Sequence, residues 1–242
     1  MKVYIGWDPR DELAFRANVV SMRAHSSIPL DIYPLREYEL RRHGLFGRPY
    51  KVLSTGQMID DCDGRPFSTQ FTFTRFTIPL IDKSDDVVIF CDADFLWRND
   101  IAKLFDLWDD SKRLMCVQHQ HAPEESVKFD GMLQAKYRRK NWSSLMMFKP
   151  SRCKIAPALL NCAPGRFLHQ FKWLPDDAIG VLPHEWNWLE GSSPADMRPS
   201  AVHYTRGTPD MLGALPYDSE WWQAVARWKP DMNHHGVESL CA

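Results

Sequence analysis

Short apolar runs alternate with amphipathic stretches over the first hundred residues of the chain. Val3 to Gly6 is a run of strand formers that breaks at Gly6-Trp7-Asp8-Pro9, and Glu12 to Arg23 carries an apolar stripe at helical spacing. Asp31 to Leu35 predicts a second short strand, whereas residues 36 to 66, rich in Arg, Gly and Asp, predict an irregular excursion outside the core. Arg75 to Ile81 predicts a helix with Pro79 near an end or at a kink, and a turn through Asp82-Lys83-Ser84-Asp85 leads into the apolar run Val87 to Cys91. Ile101 to Trp108 then predicts a helix, and Leu114 to Gln118 and Leu145 to Phe148 predict two more strands. Strand and helix in alternation imply an α/β fold with a mixed, mostly parallel central sheet flanked by helices. Further along, the alternation fades and Trp and Pro (Pro164, Pro175, Pro183) accumulate, so an irregular lobe of loops and short helices is expected over the same sheet. The expectation is one compact unit over 1–242, with halves 1–115 and 116–242.

Composition narrows the function classes. Thirty basic residues nearly cancel 31 acidic ones, without a block of like charge, so nucleic acid is not an expected partner and any phosphate should be met at one local site. The six cysteines (Cys62, Cys91, Cys116, Cys153, Cys162, Cys241) form no C-x-x-C pair, which argues against a zinc cage and reads as thiols in a reducing compartment. The start runs directly into a strand, and no apolar stretch is long enough to span a bilayer. The sequence therefore predicts a soluble, cytoplasmic protein, with room for a peripheral membrane contact and with its oligomeric state open.

The informative stretch is VVIFCDADFL, residues 87–96, where an apolar strand ends in Asp92 and Asp94. In an open α/β sheet, ligands bind outside the carboxyl ends of the strands. Residues two apart lie roughly 6–7 Å apart along a strand and face one side, so both carboxylates can lean onto one divalent ion. A hard cation held by two carboxylates keeps open positions, which Mg²⁺ or Mn²⁺ fills with phosphate oxygens. A bare D-x-D also arises by chance, with Asp92 capping the next loop and Asp94 pairing with Arg98.

The wider context carries more. TRFTIPLIDKSDDVVIFCDADFLWRNDIAKLFDL resembles the D-x-D region of glycosyltransferase family 8 and its relatives, sugar-nucleotide transferases of the Rossmann-like GT-A fold. VYIGWDPRDELAFRANVVSM is similar to that family's first strand and nucleotide-contacting loop, LPDDAIGVLPHEWNWL to the acidic segment beside the donor sugar, and SAVHYTRGTP to the strand that delivers a histidine to the metal. FDGMLQAKYRRKNWSSLMMF is shared with a related branch of phage and proteobacterial glycosyltransferases. What the resemblance implies is a metal-dependent glycosyltransferase that moves a sugar with retention from a nucleotide-sugar, a UDP-sugar, to a carbohydrate-type acceptor. Mn²⁺ or Mg²⁺ would be held by Asp92, Asp94 and His203. Gly6, Asp8 and Arg10 would face the nucleotide, and Arg75 the donor sugar or its phosphate. Asp176 would lie nearest the reacting carbon, with Asp177 orienting the sugar. Where the family has H-x-x-G-x-x-K-P-W, this chain has His203-Tyr204-Thr205-Arg206-Gly207-Thr208-Pro209, so Arg206, beside Gly207, is the nearest cationic substitute for the lysine. Pro175-Asp176-Asp177 stands where the family has Asp-Gln-Asp.

Other readings of the same residues exist. His203 also suits a core histidine, Asp176 and Asp177 a solvated pair capping a helix, and Arg138, Arg139 and Lys140 a solvated face. Trp186, Trp188, Trp221 and Trp222 suit core packing as well as a sugar platform. His119 and His121 lack nearby carboxylates or cysteines and are assigned structural roles. A haloacid dehalogenase-type phosphatase also ends a strand in D-x-D, but it places Thr or Val where this chain has Leu96 and opens its domain with the motif. A non-catalytic nucleotide-sugar or carbohydrate-binding protein is the remaining alternative.

Overall fold

A computed structural model describes residues 1–120, 139–229 and 234–236. Its strands are β1 (Lys2–Gly6), β2 (Asp31–Leu35), β3 (Tyr50–Val52), β4 (Met58–Asp60), β5 (Pro66–Phe67), β6 (Val88–Cys91), β7 (Phe95–Trp97), β8 (Leu114–Val117), β9 (Leu145–Phe148), β10 (Ile179–Leu182), β11 (Trp188–Leu189) and β12 (Ala201–His203). Six form the central sheet in the order β10-β8-β9-β6-β1-β2. β1 runs parallel to β2 and β6, and β10 parallel to β8, while β9 is antiparallel to both β6 and β8. This is the expected mixed, mostly parallel sheet.

Both faces of the sheet are covered, which is why its strands read as unbroken apolar runs. Tyr4, Phe90, Cys116 and Met146 enter one core, whereas Val3, Ile5, Ile89, Cys91, Met115 and Met147 enter the other, the two-residue period of a strand. α1 (Glu12–His25) covers the second face with Phe15, Val19 and Met22. Its last turn is closed by the His25 ring, whose Nδ1 lies 2.9 Å from the Ser21 carbonyl, before Ser26 turns to extended backbone.

Three expectations are corrected. The excursion at 36–66 is ordered: it holds the helix Glu37–Arg42 and the antiparallel sheet β3-β4-β5. Its organiser is Arg48, whose fork reaches both oxygens of Asp60 at 3.0 and 2.5 Å and the carbonyls of Leu160 and Ala163 at 2.8 and 2.7 Å. A charge that reads as surface in sequence is buried here because every donor direction used meets an acceptor. The helix expected at 75–81 starts earlier, at Phe71, and passes through a 3₁₀ turn at Arg75–Thr77 before Ile78–Ile81. Pro79 sits in the first turn of that last segment, where its missing N–H costs nothing. The second half is threaded into the sheets instead of lying over them. β10 extends the central sheet, and β11 and β12 join β7 in a second one. Trp186, Trp188 and Trp221 are core residues, but Trp222 is 45% exposed. No helix among the described residues is long and apolar enough to cross a membrane.

Candidate active site

β6 ends at Cys91, and the chain turns through Asp92-Ala93-Asp94 before β7 leaves the central sheet. β1 and β6 are parallel, with Ile5 opposite Cys91, so the loop after Gly6 opens on the same edge as the two aspartates. The turn is held from every side. Asn18 of α1, fully buried, donates from Nδ2 to the carbonyls of Asp92 (2.9 Å) and Ala93 (3.2 Å), and its Oδ1 accepts from the Trp97 indole at 2.9 Å. The Asp92 amide donates to the Ser144 carbonyl, and the Tyr204 amide to the Asp94 carbonyl. Ala93, with no exposure, packs against Ala14 and Phe71.

β12 pairs antiparallel with β7 so that His203 stands opposite Phe95, next to Asp94. The two rings stack at 4.5 Å. His203 Nε2 lies 3.3 Å from Asp94 Oδ1 and 3.9 Å from Asp92 Oδ2, and ligand atoms of the three residues all fall within 4.8 Å of one another. Adjacent ligand atoms in an octahedron with bonds of about 2.1 Å are about 3 Å apart, so a modest contraction lets the trio hold Mg²⁺ or Mn²⁺. The donor set fits as well: two hard carboxylate oxygens and an imidazole suit Mn²⁺, and among the described residues the cluster includes no cysteine.

Arg75 does something the sequence reading did not anticipate. Its side chain is buried, and Nη1 lies 2.8 Å from Asp92 Oδ1 and 2.7 Å from the Ser143 carbonyl, while Nε donates to the carbonyls of Phe71 and Thr72. It braces one oxygen of Asp92 and leaves the other facing His203. Ser143 in turn pairs with His169 across 2.8 Å, a ring whose pKa burial, followed by the charge of Arg75, drives well below the usual histidine range. His169 is thus a neutral support beneath the site.

Beside the cluster lies a pocket lined by Asp94, Arg10, Arg206, Gly207, Thr69 and Thr208 among others. Four of the residues singled out in the sequence therefore share one wall. Arg206 is held bidentate by the buried Glu190, with Nη2–Oε1 at 2.8 Å and Nε–Oε2 at 3.1 Å. Gly207, at φ +149°, occupies backbone space where side chains are strained.

Other predicted residues fall differently. Gly6 is required by a protein contact: a Cβ there would lie 2.6 Å from Phe71 Cγ. Asp8 is fully buried and caps its own loop, accepting from the Arg10 backbone and guanidinium and from the Gln70 amide. It shapes the wall through Arg10, whose Nη2 also donates to the Ser68 carbonyl. Asp176 and Asp177 are not brought to the cluster. They precede β10, three places from β6 in the sheet, and lie outside the Asp92, Asp94 and His203 trio. Their partners are Arg139, 2.8 Å from Asp176, and Lys112, which donates to the Asp177 carbonyl. No helix follows them; the segment after the 3₁₀ turn is strand. His119 lies edge-on to His184, and His121, Arg138 and Cys241 lie outside the described residues.

The architecture is that of the GT-A fold, the scaffold of glycosyltransferases. The chain superposes on the galactosyltransferase LgtC with a TM-score of 0.59 at 11% identity, covering 96% of this chain and 98% of LgtC. For the glycosyltransferase GlyE of Streptococcus pneumoniae the TM-score is 0.57 at 16% identity, over 99% of this chain and 61% of GlyE; for the bifunctional glycosyltransferase WbbM it is 0.55 at 14%, over about half of WbbM. Identities this low define a fold, not family 8 itself. In sequence, the chain is 39% identical to Protein CDI of Arabidopsis thaliana over 216 residues, 86% of this chain and 78% of that protein, and it belongs to the Protein CDI family. No known protein-family profile matches it.

Proposed function

We propose that this protein is a metal-dependent glycosyltransferase that moves a sugar from a nucleotide-sugar donor, a UDP-sugar, to a carbohydrate-type acceptor. The observation that carries the reading is the meeting of Asp92, Asp94 and His203, from two separate stretches of chain, at the carboxyl edge of β6 and against a pocket bearing Arg10 and Arg206. LgtC, of like fold, is known in complex with donor and acceptor sugar analogs, which supports sugar transfer on this scaffold.

In this reading Asp92, Asp94 and His203 hold Mn²⁺ or Mg²⁺, and the cation supplies charge to the leaving diphosphate. Arg75 keeps Asp92 aimed, with one oxygen spent on the brace and the other turned to the cluster. Arg206 adds a fixed cation on the pocket wall, held by Glu190 so that it needs no reorganisation when negative charge develops. Arg10 does the same from the first loop, where Asp8 holds it. Retention is carried over from the family resemblance, with the half 1–115 contributing most donor contacts and 116–242 the acceptor side.

The test is a panel of nucleotide-sugars screened by thermal shift with Mn²⁺ or with EDTA, followed by assay of nucleoside diphosphate release. A ligand bound only by the native state raises the melting point. The reading predicts Mn²⁺-dependent stabilisation by one donor class and slow release of its diphosphate. Binding without turnover under any acceptor would favour a non-catalytic sugar-nucleotide binder, and stabilisation equal in EDTA would remove the metal.

A further inference from the structure

The metal-facing nitrogen of His203 is selected by a chain of hydrogen bonds whose direction is fixed at its far end. The chain starts at the Asn141 carbonyl, in a residue with left-handed backbone (φ +63°). A carbonyl only accepts, so the Ser144 hydroxyl, 2.7 Å away, must donate to it. With its proton spent, Ser144 Oγ can only accept from Asn187, 2.9 Å away, so Asn187 presents its NH₂ there; that amide nitrogen also lies 3.5 Å from the Asn141 carbonyl. Its Oδ1 therefore points the other way, 2.9 Å from His203 Nδ1. An amide oxygen only accepts, so Nδ1 carries a proton in the neutral ring, and Nε2 is the nitrogen left to face Asp92 and Asp94 and to take a metal.

Asn187 has no exposure, and Ser144 and His203 are 2% exposed, so no water competes along the relay. Ser144 also ties the two halves of the cluster together, because its carbonyl accepts from the Asp92 amide. We propose that Asn187 and Ser144 are positioning residues that lock His203 in its metal-binding tautomer and so set the protein's affinity for Mn²⁺. The inference rests on the metal reading above.

It is tested with Mn²⁺ alone, counted by the electron paramagnetic resonance of the free ion, and with ¹⁵N-labelled imidazole spectra of the metal-free protein, taken with the pH raised until the ring is neutral, His203 being assigned by difference from His203→Gln. The wild type should bind Mn²⁺ and show a protonated Nδ1 with a pyridine-like Nε2. Asn187→Leu should weaken Mn²⁺ by about 10- to 100-fold, the usual range for removing such an outer partner. Ser144→Ala, a smaller change, should weaken it by about fivefold, the equivalent of one hydrogen bond. Asn187→Asp keeps the acceptor for Nδ1 and should retain more affinity than Asn187→Leu. Circular dichroism and urea midpoints guard against unfolding; should Asn187→Leu not fold, Ser144→Ala and the wild-type spectrum decide. Wild-type binding with both variants unchanged, or a wild-type spectrum with the proton on Nε2, would overturn the inference. A wild type that binds no Mn²⁺ would overturn the metal reading and this inference with it.

Discussion

Replacing Arg75 by methionine separates two roles for that residue. In the structure its guanidinium holds Asp92 Oδ1 at 2.8 Å and three backbone carbonyls, in a site where the Arg75 side chain is 6% and the Asp92 side chain 14% exposed. Methionine fills similar volume but leaves Asp92 without this cation and the carbonyls without these donors. Breaking a buried pair by removing one partner costs about 3–5 kcal/mol. Asp92 keeps some solvent, so the lower end, about 3 kcal/mol, is the expected loss. For a chain of 242 residues, each kcal/mol moves the melting point by about 2–4 °C, giving a fall of about 6–12 °C in EDTA. Urea unfolding followed by circular dichroism, with thermal melts in parallel, measures both. Nucleotide affinity with Mn²⁺ should fall too, because Asp92 loses its aim. A variant that stays within about 1 kcal/mol of wild type yet loses donor affinity tenfold would place Arg75 on the donor, as the sequence alone suggests, and refute the brace.

Two more outcomes follow from the first loop. Gly6→Ala puts a Cβ 2.6 Å from Phe71 Cγ and 2.9 Å from its Cβ, where the ring cannot swing clear, so overpacking should cost about 1–3 kcal/mol in urea unfolding; an unmoved midpoint would count against the contact. For Asp8, burial works against ionisation, but the bonds from Arg10 and from the Gln70 amide outweigh it and hold the carboxyl below its ordinary value. A folded pKa below the unfolded value near 3.9 means stability present above that pH and lost as the pH falls toward the folded pKa. Melts from pH 7 to 3 should therefore show the gap between wild type and Asp8→Asn narrowing below about pH 4, and a constant gap would contradict the assignment.

Much of the scaffold is legible in the sequence because the buried strands are continuous apolar runs and α1 has a clear stripe. Asp31–Leu35 and Leu145–Phe148 fall where the pattern places them. The Asp92 and Asp94 pair is legible too, since a carboxylate pair ending an apolar strand is a local signal, whereas His203 joins it only through the family resemblance. What escapes is long-range. Arg48 carries no signal in the sequence, and Arg75 reads as a donor contact, because the acceptors that hold them, Asp60 with the carbonyls of Leu160 and Ala163 and Asp92 with three carbonyls, are visible only once the chain is folded. Asn18 and Asn187 give no local signal of their roles, because each is buried to satisfy one turn or one ring contributed by a distant part of the chain. For Asp176 and Asp177, local similarity points to the donor, while the fold pairs Asp176 with Arg139 and leaves both residues outside the metal trio.

Calorimetric titration of UDP into the wild type, Asp94→Ala and His203→Ala, each with Mn²⁺ and with EDTA, tests the central claim most directly. The account predicts Mn²⁺-dependent binding to the wild type that both substitutions abolish while circular dichroism and melting curves stay close to wild type. Equal affinity in all three proteins, or in Mn²⁺ and EDTA alike, would contradict it.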